Sequence, residues 1–181
     1  MWSSTPWYAL SLALALLAAP VRAEVPARVS AWLPEAQLSG SGRLTWFGLH
    51  VYDAALYLPA GVPGPDYATH PFVLELTYAR ELRGVAIAEA SRDEIARLGF
   101  GSAAQRLRWF EQMSALFPDV RARSRIAGQH LPGHGARFFV DGRLAGEIAD
   151  PEFATAFFAI WLDQRSRSPA LRRALLAGGG R

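Results

Sequence analysis

The sequence predicts an α+β fold that contains an antiparallel sheet. Strand-like segments come first along the chain, helical segments follow, and a second group of short strands precedes the last helices. Elements in this segregated order are typical of antiparallel sheets with helices packed against them, not of alternating parallel units. The strongest single signal is the Asp141-Gly142 pair between two apolar runs, which predicts a two-residue hairpin turn.

The first 23 residues have the features of an export signal. Ala9 to Ala19 is an apolar run, and a small-x-small motif at Val21–Ala23 follows it. A transmembrane helix needs about 20 apolar residues. We therefore predict a signal peptide over residues 1–23, with a short uncleaved membrane anchor as the alternative. Residues 24–181 are then a single domain in the periplasm, with no stable membrane span after cleavage.

The composition excludes several kinds of chemistry. The chain has 19 basic residues, all of them arginine, against 16 acidic ones, and it has no cysteine and no asparagine. Without thiols there is no thiol catalysis, disulfide or zinc–thiolate site, and without lysine there is no Schiff-base link to a cofactor. We predict no cofactor. The scattered arginines and small net charge do not indicate nucleic-acid binding, and an arginine-rich chain without lysine suggests a bacterial source.

The longest strand signal runs from Ser39 to Pro59. Within it, Arg43 to Leu58 is predicted as one long bent strand or as two successive strands. Its alternate positions are apolar on both faces, so we expect both faces to be covered. Gly48 marks a bulge, a bend or a close backbone approach inside this run. A short strand over Arg28 to Leu33 is predicted before it.

The middle of the chain changes from strand to helix. Pro59 to Pro71 is rich in proline and glycine and predicts an irregular surface loop. Phe72 to Arg80 alternates between apolar and polar residues and predicts a strand with one solvated face. Two helices follow. The first runs through Ile87 to Leu98 and is closed by Gly99. The second is opened by a capping box of Ser102 and Gln105 and ends at Pro118, with Leu107 and Phe110 on its apolar face and Trp109 and Met113 beside them.

The last third of the chain predicts a meander and two helices. The three strands of the meander are predicted over Ser124–Leu131, Ala136–Val140 and Arg143–Ile148. Asp150 before Pro151 is an N-cap followed by proline at the first helical position. It opens a largely buried helix to Asp163, with Phe157 and Trp161 on its apolar face, and a short helix follows Ser168.

Several of these segments resemble the chalcone isomerase-like proteins, in particular their exported bacterial branch. Their order and spacing carry the resemblance over nearly the whole chain after the signal. The resemblance implies a large curved antiparallel sheet with helices layered on one face, an open-faced sandwich with a cleft between the two layers. The segments are Gly42–Tyr57, Leu74–Tyr78 with Arg80, Leu131–Gly135, Asp141-Gly142, Asp150–Phe153 and Phe158–Leu162.

The resemblance also implies two activities. Plant members close a chalcone ring by intramolecular addition, and other members bind fatty acids in the same cleft with an arginine on the carboxylate. The plant enzymes surround their substrate with an arginine, a threonine, a tyrosine and an asparagine. Because this chain has no asparagine, that set cannot be complete here. Whether the chain is an enzyme is left open, and no catalytic residue is assigned.

Five residues are predicted to contact a ligand: Arg43, Thr45, Tyr52, Tyr78 and Arg80. Aligned without gaps, the family's arginine falls one residue before Arg43, so a bulge at the preceding glycines would have to restore its direction. For each residue there is an alternative without a ligand. Arg43 and Arg80 would be solvated at the surface, and Tyr52 and Tyr78 would be core residues whose hydroxyls reach water.

No metal site is predicted. His130 and His134 are four residues apart, which on a helix would make a metal-binding pair. Pro132 and Gly133 between them exclude that helix.

Binding of a fatty acid or similar amphipathic acid is the leading hypothesis. Each buried methylene contributes about 0.8 kcal/mol, and a charge-assisted hydrogen bond about 1.5–3 kcal/mol. An apolar cleft would therefore set the affinity, and an arginine would select the acid end. The alternatives are an intramolecular lyase or isomerase acting on a phenolic or enone substrate, and a non-catalytic interaction protein with a filled cleft.

Overall fold

The computed structural model describes residues 25–178, so the predicted signal peptide over residues 1–23 lies outside the described part of the chain. Six strands form one sheet in sequence order, each antiparallel to its neighbours. The α+β class and the antiparallel sheet predicted from the sequence are confirmed. The strands are β1 (Ala36–Trp46), β2 (Leu49–Pro59), β3 (Phe72–Tyr78), β4 (Arg125–Leu131), β5 (Gly135–Val140) and β6 (Arg143–Ile148).

Helices cover both faces of this sheet unequally. The four helices between Gly84 and Leu175 contribute to the main core on one face, as predicted. A short helix over Ala27–Trp32 packs on the opposite face. A 3₁₀ turn at Gly64–Thr69 lies within the predicted loop. The helices are α1 (Ala27–Trp32), α2 (Gly84–Leu98), α3 (Ala103–Leu116), α4 (Pro151–Leu162) and α5 (Pro169–Leu175), and none of those in residues 25–178 has the length and apolar character needed to cross a bilayer.

Helix α4 is the centre of the main core. It begins at Pro151 behind Asp150, whose carboxylate accepts hydrogen bonds from the backbone N–H groups of Glu152 and Phe153. Its side chains are buried almost all round the helix, and it contacts β4, β5, α2 and α5. A helix that is apolar on every side has to be enclosed. Burial of each large side chain on α4 contributes about 1.5–3 kcal/mol.

The predicted strand over Arg28 to Leu33 is wrong, because this segment forms helix α1. Val29, Trp32 and Leu33 are spaced three and four residues apart, which places them on one helical face. Val29 and Leu33 are buried against the back of the sheet, and the Trp32 ring stacks on Phe139 with ring centroids 3.8 Å apart. An apolar pattern over only six residues fits the helical repeat of 3.6 residues as well as the strand repeat of two. Packing against the sheet therefore selects the helix.

Strand β3 is buried on both faces, so the prediction of a solvated face is wrong. Val73 is fully buried, and Glu75 is only 5% exposed on the face that α1 covers. The Glu75 carboxylate accepts hydrogen bonds from Arg28 Nε at 2.9 Å and from Arg28 Nη2 at 2.6 Å. This two-pronged contact neutralises the buried carboxylate and fixes α1 to the sheet.

The long segment around Arg43 to Leu58 is a hairpin of two successive strands, which was one of the two predicted arrangements. Gly48 lies in the turn and not in a strand, with Phe47 and Gly48 both at positive φ (47° and 77°). The expected coverage of both faces fails at this end, because Trp46, Phe47 and Leu49 are all more than half exposed. Only the far half of the hairpin is covered.

The position of helix α5 explains why the helical layer covers only part of the β1–β2 hairpin. The Ser39 hydroxyl donates to the carbonyl of Leu175 at 3.0 Å, so α5 lies directly on the start of β1. Gly40 allows this approach, since a Cβ there would lie 2.0 Å from the carbonyl oxygen of Ala174. Because α5 contacts β1 at Gly40 and Gly42, the last residues of β1 extend past the helical layer.

Helix α3 begins as predicted, but one residue of its predicted apolar face, Leu107, is exposed. The Ser102 and Gln105 capping box is present in both directions. The buried residues are Trp109 and Met113, whereas Leu107, which was predicted to face the core, is 55% exposed. The indole N–H of Trp109 donates to the Asp150 carboxylate at 2.8 Å, and this contact sets the rotation of the helix.

We expect Arg28→Ala to destabilise the fold by about 2–3 kcal/mol, because it leaves a buried carboxylate without its partner. Urea unfolding at neutral pH measures the loss. The paired replacement Arg28→Met with Glu75→Leu is the control, since it removes both charges and should recover most of the stability. A loss of less than about 0.5 kcal/mol for Arg28→Ala would show that the pair does not hold α1 on the sheet.

Candidate functional site

The candidate site is an apolar cavity of about 260 Å³ between the sheet and helices α2 and α4, which we call the chamber. It lies where the β1–β2 hairpin leaves the helical layer. Leu76 and Ile126 form its floor on the sheet, Ile87 on α2 and Phe157 on α4 form its sides, and Phe117 closes one end. An apolar cavity with few polar groups is the usual form of a small-molecule site.

Two tyrosine hydroxyls and one serine hydroxyl are the main polar groups of the chamber. Tyr52 on β2 and Tyr78 on β3 are directly opposite each other in the sheet, with ring centroids 5.9 Å apart. The indole N–H of Trp161 donates to the Tyr52 hydroxyl oxygen at 2.9 Å, so Tyr52 keeps its own proton to donate. The Ser91 hydroxyl donates to the carbonyl of Ile87 within α2.

The Tyr78 hydroxyl has no hydrogen-bond partner among residues 25–178, although its side chain is buried. The hydroxyl oxygen is not one of the fully enclosed side-chain atoms that lack a hydrogen-bond partner, so it is accessible from the chamber. A water molecule or an oxygen atom of a ligand in the chamber can accept its hydrogen bond. Tyr52 and Tyr78 therefore give the chamber two hydrogen-bonding positions on one wall.

Both tyrosines are neutral at ordinary pH. Burial raises the pKa of Tyr52 to about 12, an increase that the hydrogen bond from Trp161 only partly offsets. Burial, together with the neighbouring Tyr52, raises the pKa of Tyr78 still further. Neutral phenols donate hydrogen bonds but are not bases, so this pair is suited to binding an oxygen atom and not to removing a proton.

A wider, more open space of about 490 Å³ lies next to the chamber, and we call it the mouth. Leu44, Tyr52 and Trp161 line both spaces, so the two adjoin at these residues. Trp46 and Arg80 also line the mouth. A molecule in the chamber could therefore extend past Tyr52 into the mouth.

Arg80 is the mouth cation that is available to a ligand. Arg167 in the mouth is paired with Glu94 at 2.9 Å, and Asp93 is paired with Arg92 at 2.8 Å. In the part of the chain that the structure describes, no carboxylate lies within ion-pair distance of Arg80. A guanidinium without a carboxylate partner, next to an apolar cavity, is suited to holding an anionic head group.

Arg43 and Thr45 lie away from both spaces. Arg43 is opposite Asp53 in the sheet and pairs with its carboxylate at 2.8 Å, and its side chain is 59% exposed. A bulge is present at the glycines, between Leu38 and Gly40, yet Arg43 does not line the chamber or the mouth, which its neighbour Leu44 does. Adjacent side chains on a strand point to opposite faces. Of the five predicted ligand contacts, Tyr52, Tyr78 and Arg80 therefore come together, and Arg43 and Thr45 do not.

Trp161, Ser91 and Arg167 line the chamber or the mouth but were not predicted as site residues from the sequence. Trp161 was assigned to the buried face of α4, which is correct, but its indole N–H also positions the Tyr52 hydroxyl. Its buried N–H was the only signal for this role, because a tryptophan in a core needs a hydrogen-bond acceptor. Ser91 and Arg167 carried no local signal.

A larger space of about 630 Å³ is an open groove beside the N-terminal end of α2. It is lined by arginines and carboxylates together, including Arg83, Asp119 and Asp141. Asp119 and Asp141 accept hydrogen bonds from the backbone N–H groups of Gly84 and Arg125. Because both of these carboxylates already accept hydrogen bonds from the protein's own backbone, we place the candidate site in the chamber and mouth.

The histidines do not form a metal site. His130 is buried, its Nδ1 lies 3.1 Å from the carbonyl of His70, and burial lowers its pKa. His134 instead contacts the carboxylate of Glu147 at the surface. Among residues 25–178, no three side chains of the types that bind metal ions are grouped closely enough to hold one.

We expect the raised tyrosine pKa values to make the fold sensitive to alkali. A group whose pKa is higher in the folded state contributes stability that is present below its unfolded value and is lost as the pH rises through its folded value. For Tyr52, this stability should be lost as the pH rises from 10.0 to about 12. The variant Tyr52→Phe with Tyr78→Phe should lose less unfolding free energy over this range, as measured by urea unfolding at a series of pH values.

The unfolding free energy of each protein at pH 7 is the reference for this comparison. Parallel curves for the variant and the unsubstituted protein above pH 10 would show that the chamber does not keep these phenols protonated.

Comparison with other proteins gives matches at two levels. The fold is similar to the crystal structure of a fatty-acid binding protein from Arabidopsis thaliana, with a TM-score of 0.61 and 16% sequence identity over 79% of this chain and 87% of that chain. No curated protein sequence matches the chain significantly. A family model described as chalcone isomerase-like matches residues 21–177. Since that match spans most of the sequence, the chain belongs to the chalcone isomerase-like family.

Proposed function

We propose that this protein binds a fatty acid or a similar amphipathic acid, with its tail in the chamber and its carboxylate in the mouth. One observation carries the proposal: an apolar chamber adjoins, at Tyr52, a mouth that contains Arg80 without a carboxylate partner in the described chain. The Arabidopsis neighbour, which is described as a fatty-acid binding protein, supports the choice of ligand class.

The energetics assign different tasks to the two spaces. Each methylene buried in the chamber contributes about 0.8 kcal/mol, so even a short tail outweighs the contribution of one charge-assisted hydrogen bond, about 1.5–3 kcal/mol. A buried unpaired carboxylate is costly, which favours the open mouth for the acid group. The tail therefore sets the affinity, and Arg80 selects the end of the ligand that faces solvent.

The size of the chamber favours a modest tail. Its volume of about 260 Å³ is below the range of about 300–1,000 Å³ that drug-sized ligands occupy. A longer ligand would continue past Leu44 and Tyr52 into the mouth. The Tyr52 hydroxyl borders both spaces and has a proton to donate, so it is a second contact for the head of the ligand.

The protein is proposed to act after export, in the periplasm, with residues 1–23 removed as a signal peptide. The apolar run from Ala9 to Ala19 and the motif at Val21–Ala23 support this location. The fatty-acid proposal does not depend on it, because all the residues of the chamber and mouth lie in the described chain.

The alternative of a lyase or isomerase acting on a phenolic or enone substrate gains less support. The protonated state of Tyr52 and Tyr78 gives the chamber no base, and the chain has no asparagine. A chalcone added to the purified protein tests this alternative directly, by the loss of its visible absorbance.

We expect Arg80→Ala to weaken the binding of a fatty acid about tenfold, which corresponds to about 1.4 kcal/mol. It should not change the affinity for the alcohol of the same chain length, because the alcohol has no charge for Arg80 to hold. Isothermal titration with matched acids and alcohols measures both affinities. The control is Arg83→Ala, which removes an exposed arginine that does not line the mouth.

A second variant tests the chamber itself. Ala86 lies on the face of α2 that lines the chamber but not the mouth, and Ala96 lies on the exposed face of the same helix. Ala86→Phe should fill the chamber and weaken acid and alcohol alike by more than tenfold, whereas Ala96→Phe should have no effect. Equal affinities for Ala86→Phe and the unsubstituted protein would place the ligand elsewhere.

A further inference from the structure

The tip of the β1–β2 hairpin is the most exposed apolar feature of the described chain. We define the tip as Trp46–Leu49. Phe47 is 89% exposed, Trp46 56% and Leu49 53%, and the Trp46 and Phe47 rings touch edge to face with centroids 5.1 Å apart. Three large apolar side chains grouped on a protruding turn are unusual on a surface that contacts only water.

Phe47 occupies a turn position whose backbone conformation does not favour phenylalanine. Phe47 and Gly48 have φ values of 47° and 77°, and the equivalent pair in the β5–β6 hairpin, Asp141 and Gly142, has 46° and 88°. Asparagine and aspartate are favoured at the first position of such a turn because they tolerate positive φ, and phenylalanine is not. Phe47 makes no core contact in return. Its position therefore indicates a role outside the fold.

The charges around the tip leave it compatible with a lipid surface. There is no acidic residue between Leu44 and Tyr52, and Asp53 just below the tip is paired with Arg43. Arg80 lies in the adjacent mouth, whose lining includes Trp46 of the tip. An aromatic tip next to an arginine matches the boundary between lipid head groups and acyl chains, where tryptophan and arginine are both stable.

We propose that the hairpin tip inserts into the surface of a lipid bilayer that contains anionic lipids, with the mouth facing the membrane. Trp46, Phe47 and Leu49 enter the boundary between head groups and acyl chains, and Arg80 contacts the phosphates. If the proposed function is correct, an amphipathic acid would then pass between the bilayer and the chamber without crossing bulk water. That last step rests on the proposed function, and the docking itself does not.

A protein partner fits the tip less well. A stable protein interface buries about 800 Å² on each side and involves about 20–30 residues. The tip offers only four residues, and the strands below it carry the charged Arg43 and Asp53. Insertion into a bilayer needs no complementary surface, so a few apolar side chains suffice.

Flotation of the purified protein with vesicles tests the docking. Vesicles of phosphatidylcholine with phosphatidylglycerol should bind the protein, and vesicles of phosphatidylcholine alone should bind it more weakly. Phe47→Asn should reduce vesicle binding at least tenfold, while its melting temperature stays the same or rises because asparagine suits the turn. The control is Leu107→Gln, which removes a leucine that is 55% exposed on helix α3 and should leave vesicle binding unchanged.

Any of three flotation results would overturn the proposal: no binding of the unsubstituted protein to anionic vesicles, equal binding by Phe47→Asn, or equal losses for Phe47→Asn and Leu107→Gln. Self-association without vesicles that Phe47→Asn abolishes would also overturn it, because the tip would then be a contact between copies of the chain. Fatty-acid titration of Phe47→Asn without vesicles keeps the two proposals apart. If Phe47→Asn keeps its affinity for fatty acid but no longer floats with vesicles, the tip acts in membrane docking and not in fatty-acid binding. If the unsubstituted protein floats with vesicles but binds no fatty acid, the docking proposal stands and the proposed transfer of an acid does not.

Discussion

The packing of helix α4 across the sheet is the constraint on which the other features depend. Phe153, Phe157 and Phe158 fill the space over the centre of the sheet, and Trp161 reaches the hydroxyl of Tyr52 near its edge. That hydrogen bond fixes the distance between α4 and the β2 end of the sheet. Ile87 and Ala86 on α2 leave the space beside it unfilled, and the chamber is the result.

The extent of the helical layer then decides what is covered. Helix α5 lies on the start of β1 at Gly40, and nothing in the described chain lies on the other end of that hairpin. The same geometry that opens the chamber to solvent therefore exposes Trp46 and Phe47 beside the opening. The chamber, the mouth and the tip all arise because the β1–β2 hairpin is longer than the layer of helices that covers it.

Much of this fold was predictable because its signals are local. The Asp141-Gly142 turn and the capping box at Ser102 are set by residues within a few positions of each other. The α1 segment was mistaken for a strand because an apolar pattern of six residues fits a helix or a strand equally well. Its helix is selected by packing on distant parts of the sheet, which includes the ion pair between Arg28 and Glu75. The β1–β2 turn was not identified because Phe47 replaces the aspartate or asparagine that marks such turns.

The candidate site was predictable only in part for the same reason. Tyr52, Tyr78 and Arg80 were identified from their strands, but Tyr52 and Trp161 are 109 residues apart in the sequence and meet only in the folded chain. The direction of Arg43 depended on strand register and on a bulge, which sequence alone does not fix. Its pairing with Asp53 removes it from the chamber, and Arg80 takes the position at the opening.

The central claim is that the chamber holds a single-chain amphipathic acid. Native mass spectrometry of protein purified without any lipid-removal step tests it most directly. We predict one bound acid per chain, released and identified after denaturation. Protein that carries no such mass, and that gains none after incubation with fatty acids of several lengths, would contradict the claim.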